Sequence, residues 1–214
     1  MSSTSSLSVP RWLLAALPLA ALPLMAAFHL PEAAAAPSSS GAQRPCPPQV
    51  PAALDPPAGV TLAAGVAASG VQVYVCSAPK PGEAPAWTLE GPHATLSRGS
   101  EVVGIHFAGP TWQALDGSSV KGAKVASADA PVATAVPWLL LSGAPSGQGT
   151  FGQVTHVQRL ETAGGKAPGG GCDASHIGQK VLVPYTSSYF MYRLAAPGEA
   201  THQCRSGASK AKHG

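Results

Sequence analysis

Three side chains that could bind a ligand lie close together in the segment 101–124, which reads EVVGIHFAGPTWQALDGSSVKGAK. His106 and Asp116 can fix the orientation of a polar ligand by hydrogen bonds. The indole ring of Trp112 can stack on a sugar ring or an organic cation. A structural role is open for each residue, because Trp112 can fill the core and Asp116 can cap its own turn. We treat the three as a candidate site for a small polar or carbohydrate-like ligand.

The histidines are the residues that could coordinate a metal. Six of the seven follow residue 36, and among these His93 and His106 could face each other across neighbouring strands. The short spacings typical of metal sites, such as H-x-x-x-H and C-x-x-C, are absent. The sequence therefore predicts no bound metal, with His93 and His106 as the residues that would contribute to a site assembled from distant strands.

The segment 147–152, GQGTFG, matches the G-x-G-x-x-G fingerprint of dinucleotide-binding proteins. In those proteins the third glycine opens a helix inside a βαβ unit. Here the residues that follow, QVTHVQRL, favour a strand, and no alternation of strands and helices surrounds them. We therefore predict neither a nucleotide cofactor nor any other cofactor.

Support for catalysis is slight. The chain has no G-x-S-x-G nucleophile motif, and its acidic residues number ten. A glycosidase would need two of these carboxylates to converge, which spacing along a β chain cannot show. The leading hypothesis is a non-enzymatic domain that binds a small polar ligand or an envelope component. The alternatives are a hydrolase of envelope or extracellular polymers and a ligand-free structural envelope protein.

The N-terminal residues 1–36 have the pattern of a secretory signal. Arg11 precedes a Leu/Ala-rich stretch at 12–30, and small residues follow at 33–36. Prolines interrupt the apolar stretch and no basic cluster follows it, which argues against a transmembrane anchor. The predicted location is therefore periplasmic or extracellular, with no anchor after processing.

The remainder of the chain is long enough for one domain with a substantial core. Residues 37–57 are rich in Pro, Ser and Ala and are predicted to be a linker. The domain is expected at 58–196, followed by a flexible tail at 197–214. The net charge is +3 and the basic residues are scattered singly, whereas nucleic-acid-binding domains concentrate them in a patch. We therefore predict no nucleic-acid partner.

Short apolar runs alternate with Gly and Pro through the domain, as expected of strands and turns. Valines alternate with Gln72 and Tyr74, which predicts a half-buried strand. Asp116-Gly117 predicts a hairpin, because glycine accepts the positive φ of a tight turn. Turns are also predicted at Gly91-Pro92 and Gly109-Pro110. We predict an all-β domain of mostly antiparallel strands with little helix, either a sandwich or a partly closed barrel. The predicted strands are 71–75, 87–89, 93–96, 102–107, 112–115, 119–125, 136–142, 151–160, 180–183 and 189–194.

Several short motifs occur in the order seen in a known family. They are GVQVYVC at 70–76, WTLEGPHATL at 87–96, the segment 101–124, FGQVTHVQRLETAGG at 151–165 and GCD at 171–173. With these motifs the chain resembles the DUF3455 family, a domain of unknown function, over about residues 56–192. The resemblance implies a shared fold and candidate positions, and no mechanism.

The four cysteines follow the predicted signal, and their even number suits disulfides in an exported protein. Of the three pairings, we favour Cys76 with Cys172 and Cys46 with Cys204. Both members of the inner pair lie in segments that resemble the family, whereas the outer two lie in the tails. The Gly-rich loop 162–173 also carries family-like positions; it could cover a site at the end of the sheet or be a structural crossing loop.

Overall fold

The computed structural model describes residues 46–78, 80 and 82–199. The predicted signal at 1–36 and nearly all of the predicted tail at 197–214 lie outside this range. So does Cys204, and with it the predicted Cys46–Cys204 pair. In the described part of the chain, no helix has the length and apolar character needed to cross a membrane.

Within the described residues, a single antiparallel sheet of eight strands forms the domain. Each strand pairs with the next, and the last pairs with the first, so the sheet closes on itself as a barrel. The predicted all-β fold is confirmed; one closed sheet is formed rather than a sandwich, and closure is complete rather than partial. The strands are β1 (Val60–Ser77), β2 (Ala86–Arg98), β3 (Glu101–Phe107), β4 (Thr111–Ala114), β5 (Ser119–Ala128), β6 (Trp138–Ser146), β7 (Val154–Gly164) and β8 (Lys180–Leu194).

Two long strands replace pairs of short ones predicted from the sequence. β2 continues through Gly91-Pro92, which was expected to be a turn, because a bulge opposite β1 absorbs Glu90 as an extra residue. β8 likewise continues through Pro184. The register between β7 and β8 ends at Tyr185, so Pro184 needs no N–H toward β7.

The predicted Asp116-Gly117 hairpin is confirmed. It joins β4 to β5, with Trp112 opposite Val120. Gly117 has a φ of 85°, a conformation that side chains other than glycine rarely adopt. Gly109-Pro110 forms the predicted turn between β3 and β4. The segment 147–152 connects β6 to β7 and leads into a strand, not into a helix.

Two hydrophobic clusters lie on opposite sides of the sheet. Tyr189 and Met191 belong to one cluster, whereas Phe190 and Tyr192 belong to the other, as the alternation along β8 requires. The first cluster fills the barrel interior. The second is covered by a short 3-10 turn, Ala52–Leu54, whose Leu54 is completely buried. Part of the Pro/Ser/Ala-rich segment therefore packs on the outer surface of the barrel.

The Cys76–Cys172 disulfide is present, as predicted, and joins the end of β1 to the Gly-rich loop across 96 residues of sequence. Two side chains bond to the same loop. Trp87 Nε1 donates to Gly170 O at 2.8 Å, and the Tyr74 hydroxyl donates to Gly165 O at 2.6 Å. The disulfide and these bonds hold the loop against β1 and β2.

Removing the crosslink should destabilise the domain. We expect the double variant Cys76→Ser/Cys172→Ser to lower the free energy of unfolding by about 2–5 kcal/mol, because a long loop of the unfolded chain is no longer closed. Urea denaturation of the oxidised wild type and the variant measures the difference. Equal denaturation midpoints and slopes would show that the disulfide adds nothing to stability.

Candidate functional site

A cavity of about 310 Å³ opens into the barrel interior. Its volume is at the lower end of the range found for small-molecule sites. Apolar side chains form much of the wall, including Leu139 and Leu141 of β6. The polar groups that line it come from separate strands and include Gln72, His106 and Arg159. The cavity therefore combines an apolar wall with a few convergent polar groups.

The inner part of the cavity is formed by two of the sequence candidates. His106 and Trp112 lie directly opposite each other on β3 and β4, with ring centroids 4.4 Å apart and planes at 7°. Tyr189 contacts both rings edge-on at 5.1 Å. Gly122 on β5 lets the indole approach, since a Cβ there would lie 2.8 Å from the Trp112 ring. His106 and Trp112 are only 2% and 1% exposed, so they pack against each other and also line the cavity.

The His106 ring is neutral at physiological pH. Its Nδ1 lies 2.8 Å from Thr111 O, and because a carbonyl only accepts, Nδ1 carries the proton and donates it. Burial lowers the pKa of His106 to about 4; the bond to Thr111 opposes this shift, and the positive charge of Arg159 adds to it. The imidazole therefore keeps a lone pair on Nε2.

Two polar atoms of residues that line the cavity are buried without a hydrogen-bond partner among the described residues. They are Gln72 Nε2 and Trp112 Nε1, whereas the Tyr189 hydroxyl interacts with that of Tyr185. A buried donor that makes no hydrogen bond costs free energy, and most such groups in proteins are satisfied. Both atoms are enclosed by the protein and have almost no accessible surface. Sequence reasoning did not select Gln72 or Tyr189.

Arg159 is held in place by a backbone carbonyl. Its Nε and Nη2 donate to Pro137 O at 3.1 and 2.8 Å. In the register of β7 and β8 it lies opposite Tyr189. Within the described part of the chain, no carboxylate forms an ion pair with its guanidinium. Arg159 thus brings a positive charge to the wall of the cavity.

Asp116 has a structural role and does not join the other two candidates. Its Oδ1 accepts from Ser118 N at 2.9 Å, and its Oδ2 accepts from Thr150 N at 2.8 Å and Thr150 Oγ1 at 2.7 Å. These bonds, with the Ser118 hydroxyl contributing most, hold the pKa of Asp116 well below its ordinary value. Asp116 is not among the residues that line the cavity. The expectation of a three-residue site is corrected, because this carboxylate ties the β4–β5 turn to the β6–β7 loop.

His93 and His106 do not face each other. His106 is paired with Ala94, so the adjacent His93 points to the opposite face of the sheet, where it is exposed. Among the described residues, no group of three or more His, Cys, Asp or Glu side chains is placed to hold a metal. The two histidines therefore cannot share one metal ion.

A family model described as a protein of unknown function, DUF3455, matches residues 97–193. The predicted resemblance to the DUF3455 family is confirmed over this segment. Comparisons with curated proteins and with solved structures found no match. The DUF3455 segment includes the His106–Trp112 stack, Arg159 and Tyr189, whereas Gln72 lies before it. The family match therefore covers most of the residues that line the cavity, and it assigns no activity to them.

Replacing Asp116 should weaken the fold. We expect Asp116→Asn to melt at a lower temperature, because an amide cannot accept hydrogen bonds on both of its terminal atoms. The folded-state pKa lies below the ordinary value of about 3.9, so the carboxylate's contribution is present above that pH and lost as the pH falls below it. Thermal unfolding between pH 7 and 2 checks this.

Asp129→Asn is the matched control, because Asp129 is exposed and its side chain forms no hydrogen bond or ion pair with the described residues. Identical melting temperatures for the Asp116 and Asp129 variants would contradict the role assigned to Asp116.

The charge state of His106 should affect stability in acid. Only the unfolded chain takes up this proton between about pH 6.5 and the folded pKa of about 4, so stability should fall as the pH falls through that window. Nitrogen NMR of the imidazole should show the Nδ1–H tautomer throughout. The His106→Gln variant should lack this component of the pH dependence. A ring that titrates near pH 6.5 would refute the assignment.

Proposed function

We propose that this domain is exported and binds a small polar ligand in the cavity of its barrel, without catalysing a reaction. The observation that carries the proposal is the cavity itself, whose largely apolar wall includes the guanidinium of Arg159, a group with no carboxylate partner among the described residues. A polar ligand could accept hydrogen bonds from the N–H groups of Arg159 that are not bonded to Pro137 O. Closed barrels of eight strands are also of a size that can hold one small ligand.

Export is supported by two features. The Cys76–Cys172 disulfide is typical of proteins that fold in an oxidising compartment. The N-terminal 1–36 has the pattern of a secretory signal. A periplasmic or extracellular location fits both.

A hydrolase has less support. Of the described residues that line the cavity, Glu90 is the one carboxylate. It forms an ion pair with Lys180, whose Nζ lies 2.6 Å from Glu90 Oε2. A glycosidase needs a second carboxylate facing the first across the substrate. The cavity therefore fits binding better than polymer hydrolysis.

A ligand-free structural role in the envelope is the second candidate. It is favoured by the near-complete burial of His106 and Trp112 and by their parallel stacking. His106 also covers a face of the indole ring that a sugar or cation would otherwise use. This candidate differs from the first in its prediction that no small molecule stabilises the domain.

Filling the cavity should abolish ligand binding. We expect wild type to gain several degrees in melting temperature with one class among sugars, organic acids and divalent metals, because a ligand at about 100 times its Kd adds about 2.7 kcal/mol. The Leu139→Trp variant should lose this gain, because the larger ring occupies the cavity. Leu182→Trp, at an exposed position on β8, is the matched control.

The absence of any ligand-dependent shift in wild type would favour the structural candidate. An equal shift in wild type and Leu139→Trp would place binding outside the cavity.

A further inference from the structure

The charges that line the cavity are not balanced. Glu90, Lys124 and Arg159 are the acidic and strongly basic side chains of its wall. Glu90 is already paired with Lys180, which is not part of the wall. Neither Arg159 nor Lys124 has a carboxylate partner in the described part of the chain. The cavity therefore carries two positive charges that no carboxylate neutralises.

Arg159 is oriented as well as charged. A guanidinium has five N–H groups in one plane. Two of them donate to Pro137 O, which fixes the plane, and no further hydrogen bond of this group occurs within the described residues. The remaining N–H groups can donate to an anion. Paired N–H donors of this kind match the two oxygens of a carboxylate.

Arg159 is the hydrogen-bond donor of the wall that a ligand can use. Trp112 Nε1 and Gln72 Nε2 are also donors, but they are enclosed by the protein and have almost no accessible surface. A carboxylate accepts through about four lone-pair sites and donates nothing. The N–H groups of Arg159 that are not bonded to Pro137 O are therefore complementary to a carboxylate.

The rest of the wall is apolar. Leu139 and Leu141 lie on β6, and Pro92 and Pro110 lie on β2 and in the β3–β4 turn. Apolar surface of this kind favours a ligand with a hydrocarbon body.

We propose that the ligand is a small organic acid, whose carboxylate binds Arg159 while its hydrocarbon body lies against the leucines. This inference rests on the proposed binding function and names its ligand class. Lys124, which is exposed, strengthens the attraction for anions as they enter.

Calorimetric titration with matched probes tests the ligand class. The oxidised domain is titrated at low salt with benzoate, benzamide and benzylammonium, which share a ring and differ in charge. We repeat the comparison with hexanoate and hexanamide. Each acid should bind at least about tenfold more tightly than its amide, because charged hydrogen bonds are roughly twice as strong as neutral ones. Benzylammonium should bind most weakly.

Variants of Arg159 assign the preference to its charge. Arg159→Gln should remove the preference for benzoate over benzamide, and Arg159→Lys should keep part of it. Arg98→Gln is the matched control, because Arg98 is exposed and outside the cavity wall. Circular dichroism and melting temperature establish whether each variant folds. Should Arg159→Gln fail to fold, Lys124→Gln decides instead, with benzoate binding about two- to threefold weaker and less dependent on salt.

The outcomes separate this inference from the binding function. Equal binding of benzoate and benzamide by wild type would contradict the proposal that the ligand is an anion. So would a tenfold preference for benzoate that survives in folded Arg159→Gln. If Arg159→Gln does not fold, unchanged affinity and salt dependence of benzoate binding in Lys124→Gln would contradict the proposed anion. Tight binding of a sugar or amide that Leu139→Trp abolishes would keep the cavity site and reject the organic acid. No binding of any probe or sugar would reject both.

Discussion

Closure of the sheet between β1 and β8 is the constraint on which the rest of the structure depends. The pairing runs from Val60 with Leu194 to Val75 with Lys180, so both strands are hydrogen-bonded to each other along almost their whole length. A closed sheet has an inside, and every second residue of each strand must face it. The same closure buries the apolar interior cluster and the polar groups that line the cavity.

One part of the barrel interior is a packed apolar core, and another part is the cavity. Away from the cavity, residues such as Phe151, Val154 and Val157 are fully or almost fully buried in an apolar cluster. At the cavity, the stacked rings of His106 and Trp112 lie at the boundary of this cluster and add ring nitrogens to an otherwise apolar wall. A rigid aromatic layer of this kind can position donors without itself being exposed. The burial of the pair is therefore compatible with a role in binding.

Local signals predicted the fold better than the site. The Asp116-Gly117 turn could be predicted because its backbone conformation depends on adjacent residues. The orientation of Gln72 could not, since its alternation with valine shows a strand but leaves open which face is enclosed. Closure turns Gln72 inward and His93 outward. Asp116 is close to His106 and Trp112 in the sequence, yet its hydrogen-bond partners are Ser118 and Thr150. Thr150 is 34 residues away, so its proximity depends on the tertiary structure.

We propose that an organic acid binds in the cavity beside Arg159, and the indole ring of Trp112, which lines the cavity, reports on this binding most directly. We would follow the indole N–H resonances by NMR while adding benzoate to the oxidised domain. We expect the Trp112 resonance to move with saturation, while that of Trp87, already bonded to Gly170, does not. Saturation of binding with an unmoved Trp112 resonance, or no binding at all, would contradict this proposal.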